Sequence, residues 1–133
     1  MKISKLVLKA YKRLMLSNTR YFEWSPKSNI LLLLGSNGSG KSSVLEELTP
    51  CPAHHSQFEK GGVKEFHCSH NNHQYVLLSV YDGGSGKHSF IMDGTDELNP
   101  GGTFAVQKDL VLKHFNLDRS MHEVLIGLTP FTA

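Results

Sequence analysis

Cysteine is scarce. Cys51 and Cys68 are the whole complement of a 133-residue chain. Two cysteines give no disulfide framework and make a reducing compartment the default. No apolar run is long enough to cross a bilayer, and no stretch reads as a secretory signal peptide. The expectation is a cytoplasmic protein with no membrane partner, in the host cytoplasm if the source is viral. Acids are scarce in one region only. Residues 1–40 hold Lys2, Lys5, Lys9, Lys12, Arg13, Arg20 and Lys27 against a single acid, Glu23. Such a stretch can face the phosphates of a nucleotide or nucleic acid. The alternative is lysine placed along strand edges, where it blocks pairing with other chains. Repeats and low-complexity tracts are also lacking, and the length fits one domain, 1–133.

What is present begins at Gly35. The run Gly35, Ser36, Asn37, Gly38, Ser39, Gly40, Lys41, Ser42 fits G-x-x-x-x-G-K-[ST] at every fixed position. Residues 30–34 read as a buried strand running into it, and residues 43–48 as a helix leaving it. Strand, glycine loop and helix form the context expected of a phosphate-binding loop. The glycines let successive backbone N–H groups turn inward on phosphate oxygens. The helix N-terminus adds unpaired N–H groups and a favourable dipole. Lys41 is expected to reach the β- and γ-phosphates, and the Ser42 hydroxyl to bind Mg²⁺. The cofactors implied are ATP and Mg²⁺. An α/β fold with a P-loop core is the corresponding expectation.

Elsewhere the pattern is mostly strand. Ile3, Lys5, Val7 and Lys9 alternate with Ser4, Leu6, Leu8 and Ala10, and Tyr21–Trp24 reads as a second strand. Thr49-Pro50-Cys51-Pro52 stops the first helix, and residues 53–62 read as a polar loop. Residues 62–68, 75–81 and 88–92 then read as an antiparallel meander with turn-rich connectors. Gly83-Gly84-Ser85-Gly86-Lys87 precedes a strand and lacks a following Ser or Thr, so it reads as a turn. Thr103 is an expected N-cap for a helix over Phe104–Phe115, and residues 123–128 form a last apolar segment. Cys51, His54, His55, His67, Cys68, His70 and His73 are dense, but their spacings match no closed zinc framework.

Hydrolysis of a triphosphate needs an acid on Mg²⁺ and a group that positions water. Asp93, after Phe90-Ile91-Met92, is the nearest candidate, yet Gly94 follows where a second acid is expected. Asp82 is weaker, and both read better as hairpin ends. No [NT]-K-x-D segment is present, which argues against a GTPase. Part of a catalytic site is therefore expected on other sequence or another chain.

The whole chain resembles the N-terminal half of an SMC/SbcC-type ABC ATPase head, the ATPase subunit of the DNA double-strand-break repair and recombination exonuclease of phage and bacterial type. Residues 1–13 resemble the family's first strand, which ends in an aromatic and a basic pair. Residues 35–43 are close to its G-P-N-G-S-G-K-S, with Ser36 in place of proline. The meander resembles the lobe beside the nucleotide. The resemblance implies nucleotide contacts from Ser36, Asn37, Gly38, Ser39, Gly40, Lys41, Ser42 and Ser43. It also places Lys12 and Arg13 at basic positions that approach phosphate, with Lys41 as the catalytic cation. Leu128 stands where the family has a Mg²⁺-sensing glutamine. The coiled coil, signature motif, Walker B acids and switch histidine have no counterpart.

What the resemblance implies is a half head that ATP glues to another, gating a metallophosphoesterase-type nuclease on double-stranded DNA. Its partners would be a C-terminal half head, a second copy joined through ATP, the nuclease and DNA. The rival readings are a stand-alone nucleotide-binding interaction module, a small P-loop kinase and an ABC transporter subunit. A kinase would need lid arginines late in the chain, where only Arg119 follows residue 20. A transporter subunit usually carries the glutamine missing here.

Overall fold

The computed structural model describes residues 1–16, 18–26, 44 and 46–115. They build one six-stranded sheet. In chain order its strands are β1 (Lys2–Tyr11), β2 (Tyr21–Trp24), β3 (Phe58–His70), β4 (His73–Asp82), β5 (Ser85–Met92) and β6 (Asp96–Glu97). The order across the sheet is β2-β1-β3-β4-β5-β6. Two α-helices accompany it among the described residues, α1 (Lys12–Met15) and α2 (Phe104–Phe115). Val44, Glu46 and Glu47 are also helical.

Every strand pair is antiparallel. The α/β P-loop architecture of an ABC-type half head is therefore not what these residues form, and that expectation is corrected. The reason lies in the connections. Parallel neighbours need a crossover of about a dozen residues or more. Here Asn71 and Asn72 alone join β3 to β4, with φ of 49° and 66°. Two positive φ values in a two-residue loop match the right-handed twist of an antiparallel hairpin. Asp93 and Gly94, at 54° and 76°, also take positive φ in the three-residue turn from β5 to β6. The meander expected from the sequence is β3-β4-β5. The strand expected over residues 30–34 lies outside the described residues.

Strict alternation sorts the strands into two faces. Leu6, Phe66, Leu77 and Phe90 are cross-strand neighbours in one buried row. Leu8, Lys64, Ser79 and His88 make the next. Val44, Leu48, Val111 and Phe115 join the same core, so the helical pieces cover this face. The Tyr75 ring meets Phe115 at 4.8 Å and Phe90 at 5.6 Å, both edge-on. Thr103 caps α2 as expected, its Oγ1 accepting from the Val106 N–H at 3.3 Å.

One irregularity shapes the region of interest. The pairing of β1 with β3 shifts between Lys9 and Tyr11, whose partners are Val63 and Phe58. Ala10 and Gly61 take φ of 52° and 83° there. The bulge breaks the alternation and turns Tyr11 inward. Tyr11 and Phe58 then lie 5.2 Å apart, and Phe58 stacks on Tyr81 at 4.4 Å. Residues 58–62 thus belong to β3 rather than to a polar loop. Over Leu6–Lys9 β1 is flanked by both β2 and β3, so Lys9 does not guard a sheet edge, whereas Lys2 and Lys5 are paired with β3 alone.

Candidate nucleotide site

Residues 35–43, with Ser36, Asn37, Gly38, Ser39, Gly40, Lys41, Ser42 and Ser43, lie outside the described residues, and so does Leu128. The described structure resumes at Val44, directly after the loop in sequence. Val44 is fully buried and Leu48 nearly so. Val44 lies in the helical segment and Leu48 just past its end, and both join the core. These apolar contacts anchor the segment on the sheet, and a polar contact set surrounds them.

Glu47 is the centre of that set. Lys64 of β3 donates from Nζ to Glu47 Oε1 at 2.9 Å and to the Cys51 carbonyl at 2.9 Å. Tyr11 donates to Glu47 Oε2 at 3.2 Å. The Lys64 side chain is 3% exposed and that of Glu47 11%. The phenol of Tyr11 titrates far above the ordinary tyrosine range, first because it is buried and then because Glu47 faces it. It is a fixed proton donor at any physiological pH. Tyr81 is raised by burial too and donates to the Ala53 carbonyl at 2.7 Å.

Lys12 and Arg13 diverge from α1. Arg13 Nη1 is 3.4 Å from Glu46 Oε2 in an exposed pair. Lys12 lines an open groove of about 680 Å³ with His55, Ser56, Phe58, Lys60 and Gly83. Lys60 pairs with Asp82 at 3.7 Å across the β4–β5 end. Asp82 is thus accounted for at a hairpin end. So is Asp93, which accepts from the Gln74 N–H at 2.9 Å and lies 2.7 Å from His73 Nδ1. These contacts hold its carboxyl below the usual carboxylate range. Neither acid stands beside Glu47 or Arg13 in these contacts.

Among the described residues no group of three His, Cys, Asp or Glu could hold a metal ion. Strand alternation explains why the Cys/His-dense segment does not converge. Cys68 points into the core, where burial pushes its thiol up to about 12. Its neighbour His67 points to the other face, 3.5 Å from Glu65. No helix among the described residues is long and apolar enough to cross a membrane.

Sequence reasoning missed Lys64, Glu47, Ser79 and His88 as interior polar groups. One signal was available. Lys64 shares the parity of Phe66 and Cys68, which places it on the core face of β3. No family model and no curated protein matches the chain.

Proposed function

We propose that the chain binds ATP with Mg²⁺ through residues 35–43 and works as a nucleotide-controlled component of DNA repair or recombination. Lys41 would hold the β- and γ-phosphates, with Ser42 on the metal. One observation supports the reading beyond the motif itself. Of the residues that follow the loop, Glu47 is tied to the sheet by Tyr11 and Lys64, and Glu46 to α1 by Arg13. A loop that must present N–H groups to phosphate gains from a fixed exit, because preorganised donors need no rearrangement on binding. The resemblance to SMC/SbcC-type ATPases supplies the biological setting: ATP-driven self-association that gates a nuclease on double-stranded DNA. Lys12, beside Lys60 on the groove, is a basic position from which phosphate could be approached.

A second reading is a module that binds nucleotide without turning it over. It is favoured by Asp82 and Asp93 being engaged at hairpin ends among the described residues. Both readings predict negligible hydrolysis by the chain alone. Light scattering with and without MgATP, beside a phosphate-release assay, tests them. ATP-dependent dimerisation supports either one. Activity gained only on adding the complementary C-terminal half selects the repair ATPase. Turnover near 1 per second by the isolated chain, at the low end of ordinary enzymes, contradicts both.

A further inference from the structure

An antiparallel sheet with one solvated face alternates cleanly, apolar inward and polar outward. β4 departs from that pattern. Tyr75, Leu77, Ser79 and Tyr81 are buried in the core, and Val76, Leu78 and Val80 occupy the opposite face. A strand apolar on both sides is the pattern of one covered on both sides. The helical pieces join the core face. On the opposite face Val76 and Leu78 are only half-buried and Val80 is 41% exposed. Val63 of β3 and Ile91 of β5, both half-buried, widen the apolar strip on either side.

The margins of the strip are basic. One cross-strand row runs Lys9, Val63, Val80, Lys87. Both lysines are exposed, and neither is paired with an acid among the described residues. Lys9 leans over the Tyr21 ring at 5.9 Å. The Lys87 stem runs beside Gly102, where an added Cβ would lie 2.9 Å from Lys87 Cγ. Both therefore lean outward and leave the strip between them open. The acids of this face are engaged. Glu65 lies 3.9 Å from Lys5 and 3.5 Å from His67, and Glu23 accepts from the Tyr21 hydroxyl at 2.7 Å. Glu97 accepts from the Phe90 and Asn99 N–H groups. Lys9 and Lys87 stand three strand spacings apart, about 14 Å. One α-helix, about 10–12 Å across with its side chains, fits between them. Val76 to Val80 spans about 13 Å along β4, close to the rise of about 11 Å over two helical turns.

We infer that this second sheet face docks an amphipathic α-helix of another protein, its apolar stripe flanked by Glu or Asp. The stripe, apolar at i, i+3, i+4 and i+7, covers Val63, Val76, Leu78 and Val80. The flanking acids meet Lys9 on one side and Lys87 on the other. Burial of the strip supplies the attraction, and the lysines set the charge a partner must carry. The inference is independent of the nucleotide reading, since none of these residues belongs to the glycine loop.

The test is a displayed library of peptides of about 16 residues, long enough to hold a docked helix. Each carries the apolar stripe, with every flanking position free to be Glu, Lys or Ser. The library is selected on the full 133-residue chain, and enriched peptides are then measured by fluorescence anisotropy. Selected flanks should be mostly Glu. Lys9→Glu/Lys87→Glu should weaken the selected peptides about tenfold, because like charges then face each other. Val80→Ser should also cost about tenfold, the burial of one valine being lost. All three positions are exposed, so each variant should melt with the wild type by circular dichroism. Lys9→Gln/Lys87→Gln should cost about threefold, as exposed ion pairs do, and covers the case in which the charge reversal does not fold. No enrichment, or enrichment of Lys- or Ser-flanked helices, overturns the inference. So does binding that the folded variants leave unchanged. A labelled DNA duplex is titrated in parallel. If it binds, weakens with Lys9→Glu/Lys87→Glu and displaces the peptides, the face belongs to nucleic acid and the inference is overturned.

Discussion

Lys64 Nζ lies 2.9 Å from Glu47 Oε1, the two residues 17 apart in sequence and both shielded from solvent. The pair joins β3, one of the two central strands of the sheet, to the segment that follows the glycine loop in sequence. Lys64→Met leaves the Glu47 carboxylate buried without its cation. The expected cost is about 3–5 kcal/mol, the usual penalty for one uncompensated buried charge. Urea unfolding checks it, and the double variant with Glu47→Gln should recover most of the loss.

Stability should fall with acidity below neutral pH. Ser79 Oγ and His88 Nδ1 are 2.7 Å apart in the core, and burial holds the His88 pKa below the ordinary imidazole value. The unfolded ring takes up a proton near pH 6.5, while the folded ring does so only at lower pH. Between those values the unfolded state carries more protons, so stability is full above about pH 6.5 and declines as pH drops through the window. The urea midpoint should therefore decrease from pH 7 towards pH 5. His88→Asn should flatten that slope without abolishing it, because burial lowers His70 in the same direction. A midpoint unchanged over this range contradicts the assignment.

Asn99 and Gln107 fasten α2 to β5. Asn99 Nδ2 donates to Gln107 Oε1 at 3.0 Å, and Gln107 Nε2 donates to the Ser89 carbonyl at 2.8 Å. Both side chains are buried. Gln107→Leu keeps the volume and strands the carbonyl. About 1–3 kcal/mol should be lost, the penalty for one unsatisfied buried group. Thermal melting would read it directly.

Gly62 cannot accept a side chain without movement. A Cβ there would lie 2.8 Å from Phe58 Cβ and 2.8 Å from the Glu59 carbonyl. Neither is the mobile end of a long side chain. Gly62→Ala should thus strain the bulge that turns Tyr11 and Phe58 inward, at about 1–3 kcal/mol. Gly84→Ala is the control, since its Cβ would meet open space.

The elements carried by strong local signals were legible. Tyr21–Trp24 and Phe104–Phe115 have the bounds that alternation and the Thr103 cap imply. The Asn71-Asn72 and Gly83-Gly84 turns fall where turn chemistry puts them. The start of β3 was not legible, because Phe58 is followed by exposed Glu59, Lys60 and Gly61. Its strand character comes from long-range pairing with β1. Asp96–Glu97 has no strand signature at all and pairs because the Asp93-Gly94 turn returns it to β5. The overall α/β expectation failed for a related reason. The glycine loop is a local signal and says nothing of how distant strands pair. The buried polar row of Lys64, Ser79 and His88 was hidden by residue type, since lysine and serine are mostly exposed and histidine is only intermediate.

The most direct test is calorimetric titration of MgATP into the wild-type chain and into Lys41→Ala. The account predicts saturable binding of one nucleotide per chain, lost in the variant. No saturable binding up to about 1 mM ATP, where affinity is only about 4 kcal/mol, or equal binding by Lys41→Ala, would contradict it.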